Sequence, residues 1–428
     1  MLMKKLTVIL MASLAILCWS CSDEPSPEIT PEEEEIEIPE NYKGTMYGLS
    51  ISMTESQKAA NKSVNDFSLF LVKGLNENFP KDQGFVFSPV TETMISLMIA
   101  NSADKEYQKR LLELMGCDNL DKLNRFAGQL VDALPNKDKG SNLVMANSLW
   151  LNGNNRLSDS YSEILKDVFD VESTSLDFDD EKSASIINEW SRRVTMGIID
   201  QVITPDWLIG ASFLWASSIY FHGDWAIAFD EKLTTNDKFQ TPTETITIPM
   251  MHQRDVRGAR YAESENYQYV AIPTYGNVRF QVILPPEDKA LTNAIADMPE
   301  DISALIIHQA TYETESAIQD HIHISMPRFA CKSSIDFSGL YDQLGLIATS
   351  YPGLNYYDGY PIRSIQTASV TADEYGISVA ATSVSHGVDS GYSPEAKEYN
   401  VVIDRPFFFF LSDKFTGTIL FAGLITNP

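Results

Sequence analysis

Cysteine is nearly absent from this chain. Four occur in 428 residues, and after Cys18 and Cys21 only Cys117 and Cys331 remain. Two thiols cannot build a disulfide framework or a cysteine metal cluster, so the pair reads as two buried free thiols or a single bridge. Positive charge is scarce too: 32 Lys and Arg stand against 59 Asp and Glu, a formal net charge of −27. That balance repels nucleic acid and anionic membrane and argues against either as a partner. A phosphate-cradling glycine loop, a G-x-S-x-G elbow, a basic stripe and an internal repeat are all missing. What is present is a globular composition, 44% hydrophobic and 11% aromatic, with length for a sizeable core.

The first fifty residues read as processing and tether. Lys4 and Lys5 form a basic start, and Leu6 to Leu17 an apolar run too short for a stable bilayer-spanning helix. Residues 1–20 are therefore expected to be a signal peptide. Ser20 before Cys21 resembles a bacterial lipobox, with Cys21 as the lipidated residue; Cys18 follows the bulky Leu17. The expected location is extracytoplasmic, with the chain lipid-anchored to the outer membrane or secreted. Ser22-Asp23-Glu24 also resembles the acidic signal that sends lipoproteins of Bacteroidetes-type bacteria to the cell surface. Loss of Lys4 and Lys5 would take the formal charge from −27 to −29. Residues 21–50 carry nine acids against Lys43, with prolines at 25, 27, 31 and 39. Repulsion and proline stiffness make that stretch an extended tether.

Beyond it, MTESQKAANKSVNDFSLFLVKGLNENF repeats apolar residues at three and four, a helix. GFVFSP reads as a short strand, TETMISLMIANSADKEYQKRLLELMG as helical pieces, and residues 142–152 as a buried strand. SASIINEWSRRVTMGII and DFSGLYDQLGL are helical, and residues 213–229 a long apolar strand. Strands dominate afterwards, ending in two or three within YNVVIDRPFFFFLSDKFTGTILFAGLITNP. Helices first and strands later predict an α+β fold with mixed or antiparallel sheets, in one domain.

Catalytic signals are poor. Ser102-Ala103-Asp104-Lys105 fits S-x-x-K, but Lys414-Phe415-Thr416-Gly417 is the nearest thing to a K-T-G partner and has a residue too many. His321 and His323 alternate along a strand, yet no acid, His or Cys sits at ligand spacing in sequence, so no metal is expected. The chain reads as no enzyme, and no cofactor is implied.

One segment stands apart. Gly376 to Thr382 is small and β-branched, fit for a sheet, and runs into the Ser, Gly and Asp of HGVDSGYSPEAKEYN. A strand joined to an exposed loop so near the end asks for an explanation. The order of phrases supplies one. FVFSP, LVMANSLW, INEW with Thr195 and Gly197, IYFHGDW, Met250-Met251, Tyr275-Gly276 before VILPP, MPRF, LGL, DEYG and RPFFFFL together resemble a serpin, across residues 51–428.

The resemblance implies eight or nine helices around three β-sheets, with an exposed reactive-centre loop near the C-terminus. It implies a suicide inhibitor of serine or cysteine proteases, monomeric, forming a covalent complex with its target. After cleavage the hinge half of the loop inserts into the largest sheet as a new strand and drags the protease with it. Glu374 and Gly376 match the hinge, Gly376 being expected to let the backbone turn. Alternation then places Ile377, Val379, Ala381 and Ser383 inward and Ser378, Ala380 and Thr382 outward. Burying Ile377 and Val379 would contribute about 1.5–3 kcal/mol each.

The chain also departs from the family pattern. Ile377 stands where inhibitors usually carry Thr or Ser; it should slow insertion or draw the uncut loop in early. In the shutter beneath the sheet only Ser88 is kept, with Thr91, Ser217 and Gln366 at the other positions, all able to hydrogen-bond. Trp225 matches the aromatic under the top of the sheet. Family spacing from Glu374 puts the scissile bond near Ser390-Gly391; counting back from Pro406 puts it near Glu395-Ala396. The favoured window is Asp389, Ser390, Gly391 and Tyr392. The alternative to an inhibitor is a non-inhibitory serpin acting as a binding or carrier module.

Overall fold

The computed structural model describes residues 53–80, 82–138, 140–256, 258–287, 321–357, 364–378 and 397–428. The expected signal peptide, Cys21, the expected tether and Val379 to Ala396, with the scissile-bond candidates, lie outside the described residues. Among these are seven α-helices, seventeen strands and three sheets, the α+β architecture expected.

The first helix, α1 (Glu55–Asn78), starts at a capping box in which Thr54 and Gln57 satisfy each other's backbone N–H groups. Val64, Phe67, Leu71 and Leu75 form its buried stripe. Then come β1 (Phe85–Phe87), α2 (Pro89–Ser102), α3 (Lys105–Met115), α4 (Leu120–Ala133), β2 (Asn136–Asp138), β3 (Ser141–Asn152), α5 (Asp159–Asp167), β4 (Val171–Leu176), α6 (Lys182–Val194) and β5 (Phe213–Asp224). The strand expected over residues 213–229 stops at Asp224, because Trp225 turns away to bridge Thr274. Six strands follow: β6 (Thr235–Gln240), β7 (Thr245–Gln253), β8 (Arg260–Glu263), β9 (Gln268–Pro273), β10 (Val278–Leu284) and β11 (His321–Pro327). The chain ends with β12 (Phe329–Asp336), α7 (Ser338–Leu344), β13 (Ile365–Ala372), β14 (Gly376–Ser378), β15 (Glu398–Val402), β16 (Phe407–Asp413) and β17 (Ile419–Ile425).

A six-stranded sheet runs β1-β17-β16-β10-β9-β8 and a four-stranded one β15-β11-β7-β6. The largest has seven strands, β12-β13-β14-β5-β3-β2 with β4 also on β3. Every residue of β10, β16 and β17 is buried, which is why these read as continuous apolar runs without alternation. Phe329 of β12 meets Phe280, Phe407 and Phe409 at ring separations of 6.3, 5.6 and 5.9 Å, so the largest sheet packs on the six-stranded one there. Both remaining cysteines are free, and each is half-buried where full burial was expected.

Candidate functional site

The site grows from β14. After β13 the chain reverses through Asp373, Glu374 and Tyr375. Asp373 shapes that turn: its Oδ1 accepts from Tyr375 N at 2.9 Å and Gly376 N at 3.2 Å, while its own N–H donates to Gly376 O at 3.1 Å. The returning strand then sits between two others. Ala372 opposes Ile377 on one side, and Gly223 opposes Ile377 on the other.

Three side chains hold the turn. Trp225, buried among Phe229 and Phe280, donates from Nε1 to Asp373 O at 2.7 Å, and its backbone N–H donates to Tyr375 O at 2.8 Å. Phe229 N donates to Glu374 O at 2.8 Å. The Glu374 side chain, only 2% exposed, receives Arg328 through Nε at 2.9 and 2.8 Å and through a terminal guanidinium nitrogen at 2.7 Å. Thr234 Oγ1 adds a bond at 2.5 Å. Burial works to raise the Glu374 pKa, but the Arg328 and Thr234 bonds outweigh it and hold the group below its usual range.

Gly376 is required for a different reason from the one expected. It is not among the glycines with positive φ. A Cβ there would lie 2.5 Å from Gly223 O and 2.8 Å from the Asp224 Cα, so the residue permits close contact with β5 and not a turn. Ile377 faces inward as expected and is 1% exposed.

Below Ile377 the sheet is incomplete among the described residues. β5 pairs along its length with β3, and β13 with β12. Among the described residues, β14 is the only strand that links β5 and β13. The facing edges enclose two adjoining hollows that share Ile199, Ile219, Ala368 and Phe421. The space has the character of one strand position, with an apolar floor between the facing edges of β5 and β13.

The shutter residues lie at the lower end of this gap. Gln366 Nε2 donates to Ser88 O at 3.1 Å, Thr91 Oγ1 at 2.7 Å and Glu92 Oε1 at 3.0 Å, and its Oε1 accepts from Ser88 N. Ser88 caps α2 and donates from Oγ to Leu420 O at 2.7 Å. Ser88, Thr91 and Gln366 are thus one network. Ser217 is not part of it: its buried Oγ has no hydrogen-bond partner, although the residue lines the same hollow. Its strand, β5, stands across the gap.

Glu92 was not foreseen. It sits in a helix buried almost throughout, and a lone acid in the apolar run PVTETMISLMIANS was the available signal. Arg328 carried no signal as a partner, being 46 residues from Glu374 in sequence. The S-x-x-K match dissolves: Ser102 is buried and bonded to Ile99 O at 2.8 Å, while Asp104 caps α3 and Lys105 binds Gln108. His321 and His323 do meet an acid that spacing could not show, Asp255. Its carboxylate lies 2.9 Å from His321 Nδ1, and its N–H donates to His323 Nδ1 at 3.1 Å. No group of three metal-binding side chains forms among the described residues.

Comparison with known proteins agrees with this geometry. Residues 62–428 match the family Serpin (serine protease inhibitor), and the chain belongs to that family. An uncharacterized serpin-like protein of Thermococcus kodakarensis is 25% identical over 99% of both chains. Human neuroserpin is 24% identical over 86% of this chain and 90% of its own. Among solved structures, the thermophilic serpin tengpin in its native state superposes with a TM-score of 0.73 at 21% identity, covering 88% of this chain and 95% of that one. Arabidopsis AtSerpin1 in its native stressed conformation gives 0.71 at 19%, covering 88% and 100%.

Proposed function

We propose that the chain inhibits serine or cysteine proteases by offering its loop as substrate and inserting the cut strand between β5 and β13. The observation that carries this reading is the strand position below Ile377, bounded by two strands that do not pair and already begun by β14. Filling it supplies backbone hydrogen bonds on both edges and buries the inward side chains, so insertion is downhill once cleavage frees the loop. A tethered protease is then displaced with it.

The test is incubation with elastase, chymotrypsin and trypsin, followed by denaturing electrophoresis. An adduct that survives SDS is expected with at least one of them. Cleavage without adduct at any ratio would overturn inhibition and favour a binding or carrier role. Tyr392→Ala should abolish inhibition of chymotrypsin if Tyr392 is the bait; unchanged inhibition would move the scissile bond elsewhere in residues 389–396. We further infer that Cys21 is lipidated and holds the domain to the cell envelope on its acidic tether. Incorporation of a clickable palmitate into wild type but not Cys21→Ser would support that, and equal labelling would refute it.

A further inference from the structure

Glu92 ties three elements together at the lower end of the gap. The residue is fully buried in α2. Its carboxylate accepts from Gln366 Nε2 at 3.0 Å, Tyr341 Oη at 2.7 Å and Ser364 Oγ at 3.1 Å. Gln366 lies in β13, Ser364 directly precedes that strand, and Tyr341 belongs to α7. One side chain therefore joins α2 to the strand that forms one wall of the gap. Among the described residues the bonds to this carboxylate come from Gln366, Tyr341 and Ser364 and none from β5, whose Ser217 hydroxyl has no partner.

The strength of that tie depends on charge. As a carboxylate Glu92 accepts three bonds, and a charged acceptor makes each of them roughly twice as strong as a neutral one. As an acid it keeps Gln366 on one oxygen, while the other must donate where Tyr341 and Ser364 now donate. Tyr341 can reverse, because Ser96 Oγ lies 3.3 Å from its hydroxyl and either atom can be the donor. Ser364 then donates to a hydroxyl oxygen, a weaker acceptor than a carboxylate oxygen, so the hold on β13 loosens.

Among the described residues, every group on this carboxyl is a neutral donor. The ionisable groups facing it are two phenols, Tyr341 of α7 and Tyr107 of α3. Burial drives both far above their ordinary range, so neither titrates with it. Burial also lifts Glu92 to about 7, against the smaller opposing effect of its three donors, and both of its forms are populated near neutrality.

We propose that Glu92 is a positioning residue for strand insertion, a tie that holds β13 to α2 while charged and lets the gap widen once it takes up a proton. The proposal rests on the strand-insertion reading above. It goes beyond that reading by making the acceptance of a strand depend on the protonation of one buried group.

The test uses the full chain and a fluorescent synthetic peptide GISVAATS, the sequence of residues 376–383. Its rate of uptake is followed from about pH 5.5 to about pH 8.5, either side of the Glu92 titration. Wild type is expected to accept the peptide fastest in acid, the rate falling towards roughly tenfold per pH unit above neutrality. Glu92→Gln, neutral throughout, should keep the acid rate at every pH, and Glu92→Asp should restore a pH dependence. Gln366→Leu, which cuts the β13 end of the tie, should also give a flat profile and serves if Glu92→Gln does not fold. A flat wild-type profile, or a Glu92→Gln profile that falls as wild type does, overturns the tie alone. Absence of uptake in every protein at every pH overturns the insertion reading, and the tie with it.

Discussion

Arg328 and Glu374 meet in a forked ion pair at the top of the largest sheet, with the carboxylate almost completely buried and the guanidinium about half exposed. The pair anchors the turn from which β14 returns. Removing the cation strands a buried carboxylate, a change that typically costs on the order of 3 kcal/mol. Arg328→Ala should therefore unfold at lower denaturant, while Glu374→Gln, which keeps the Thr234 contact, should lose less. The pH dependence has a definite sign. A carboxylate held below its ordinary value stabilises the fold above that value, and the stabilisation is lost as pH falls through the depressed one. Acid titration of denaturant midpoints should show this loss in wild type and not in Glu374→Gln; identical acid limbs would mean the pair is not a source of stability.

Gly376 offers a separate test. Because an added Cβ would meet β5 backbone at 2.5 Å, Gly376→Ala cannot seat β14 without moving Gly223 or Asp224. Backbone moves less readily than a side-chain tip. Since β14 already lies on β5 in the uncut chain, the variant should melt below wild type both before and after loop cleavage, read by differential scanning calorimetry of cut and uncut samples. Wild-type melting temperatures in both samples would show that β5 yields and that the close fit is dispensable.

Most of the scaffold could be read from the sequence, and most of the hinge chemistry could not. The buried stripe of α1 and the apolar runs of β16 and β17 are local patterns, so periodicity exposes them. The inward-facing Ile377 follows from alternation alone. Trp225 was matched by phrase, but its bond to Asp373 O depends on two segments 148 residues apart. Arg328 finding Glu374, and Asp255 reaching His321, are likewise products of strand order, which no local spacing encodes. Ser217 shows the opposite failure. Its residue type suits the shutter network, yet it stands on β5, which does not pair with β13, and composition carries no strand order.

Ile377 separates what is buried before cleavage from what is buried after it. It is already enclosed between β13 and β5 in the uncut chain. Ile377→Ala should cost about 2–4 kcal/mol in both forms, by lost transfer and a residual cavity. The difference in stability between cut and uncut chain should then stay as in wild type. If Ile377→Ala lowers the denaturant midpoint of the cut chain alone, the residue is not seated until insertion.

Glu92 makes a stability prediction that needs no protease and no peptide. Its value rises from the ordinary 4.5 to about 7 in the fold, through burial first. Between those two values the folded chain holds a proton that the unfolded chain has already released. The contribution is therefore complete below the ordinary value, falls as pH rises through the window, and stays low above neutrality. The full swing corresponds to about 3 kcal/mol. Glu92→Gln, which cannot ionise, should lose this slope, so its stability relative to wild type should improve steadily across the window and then level off. Denaturant midpoints measured in steps of pH would reveal it. Parallel curves for the two proteins would mean that Glu92 ionises as freely inside the fold as outside it, which a buried carboxyl with three neutral donors and no cation beside it among the described residues should not do.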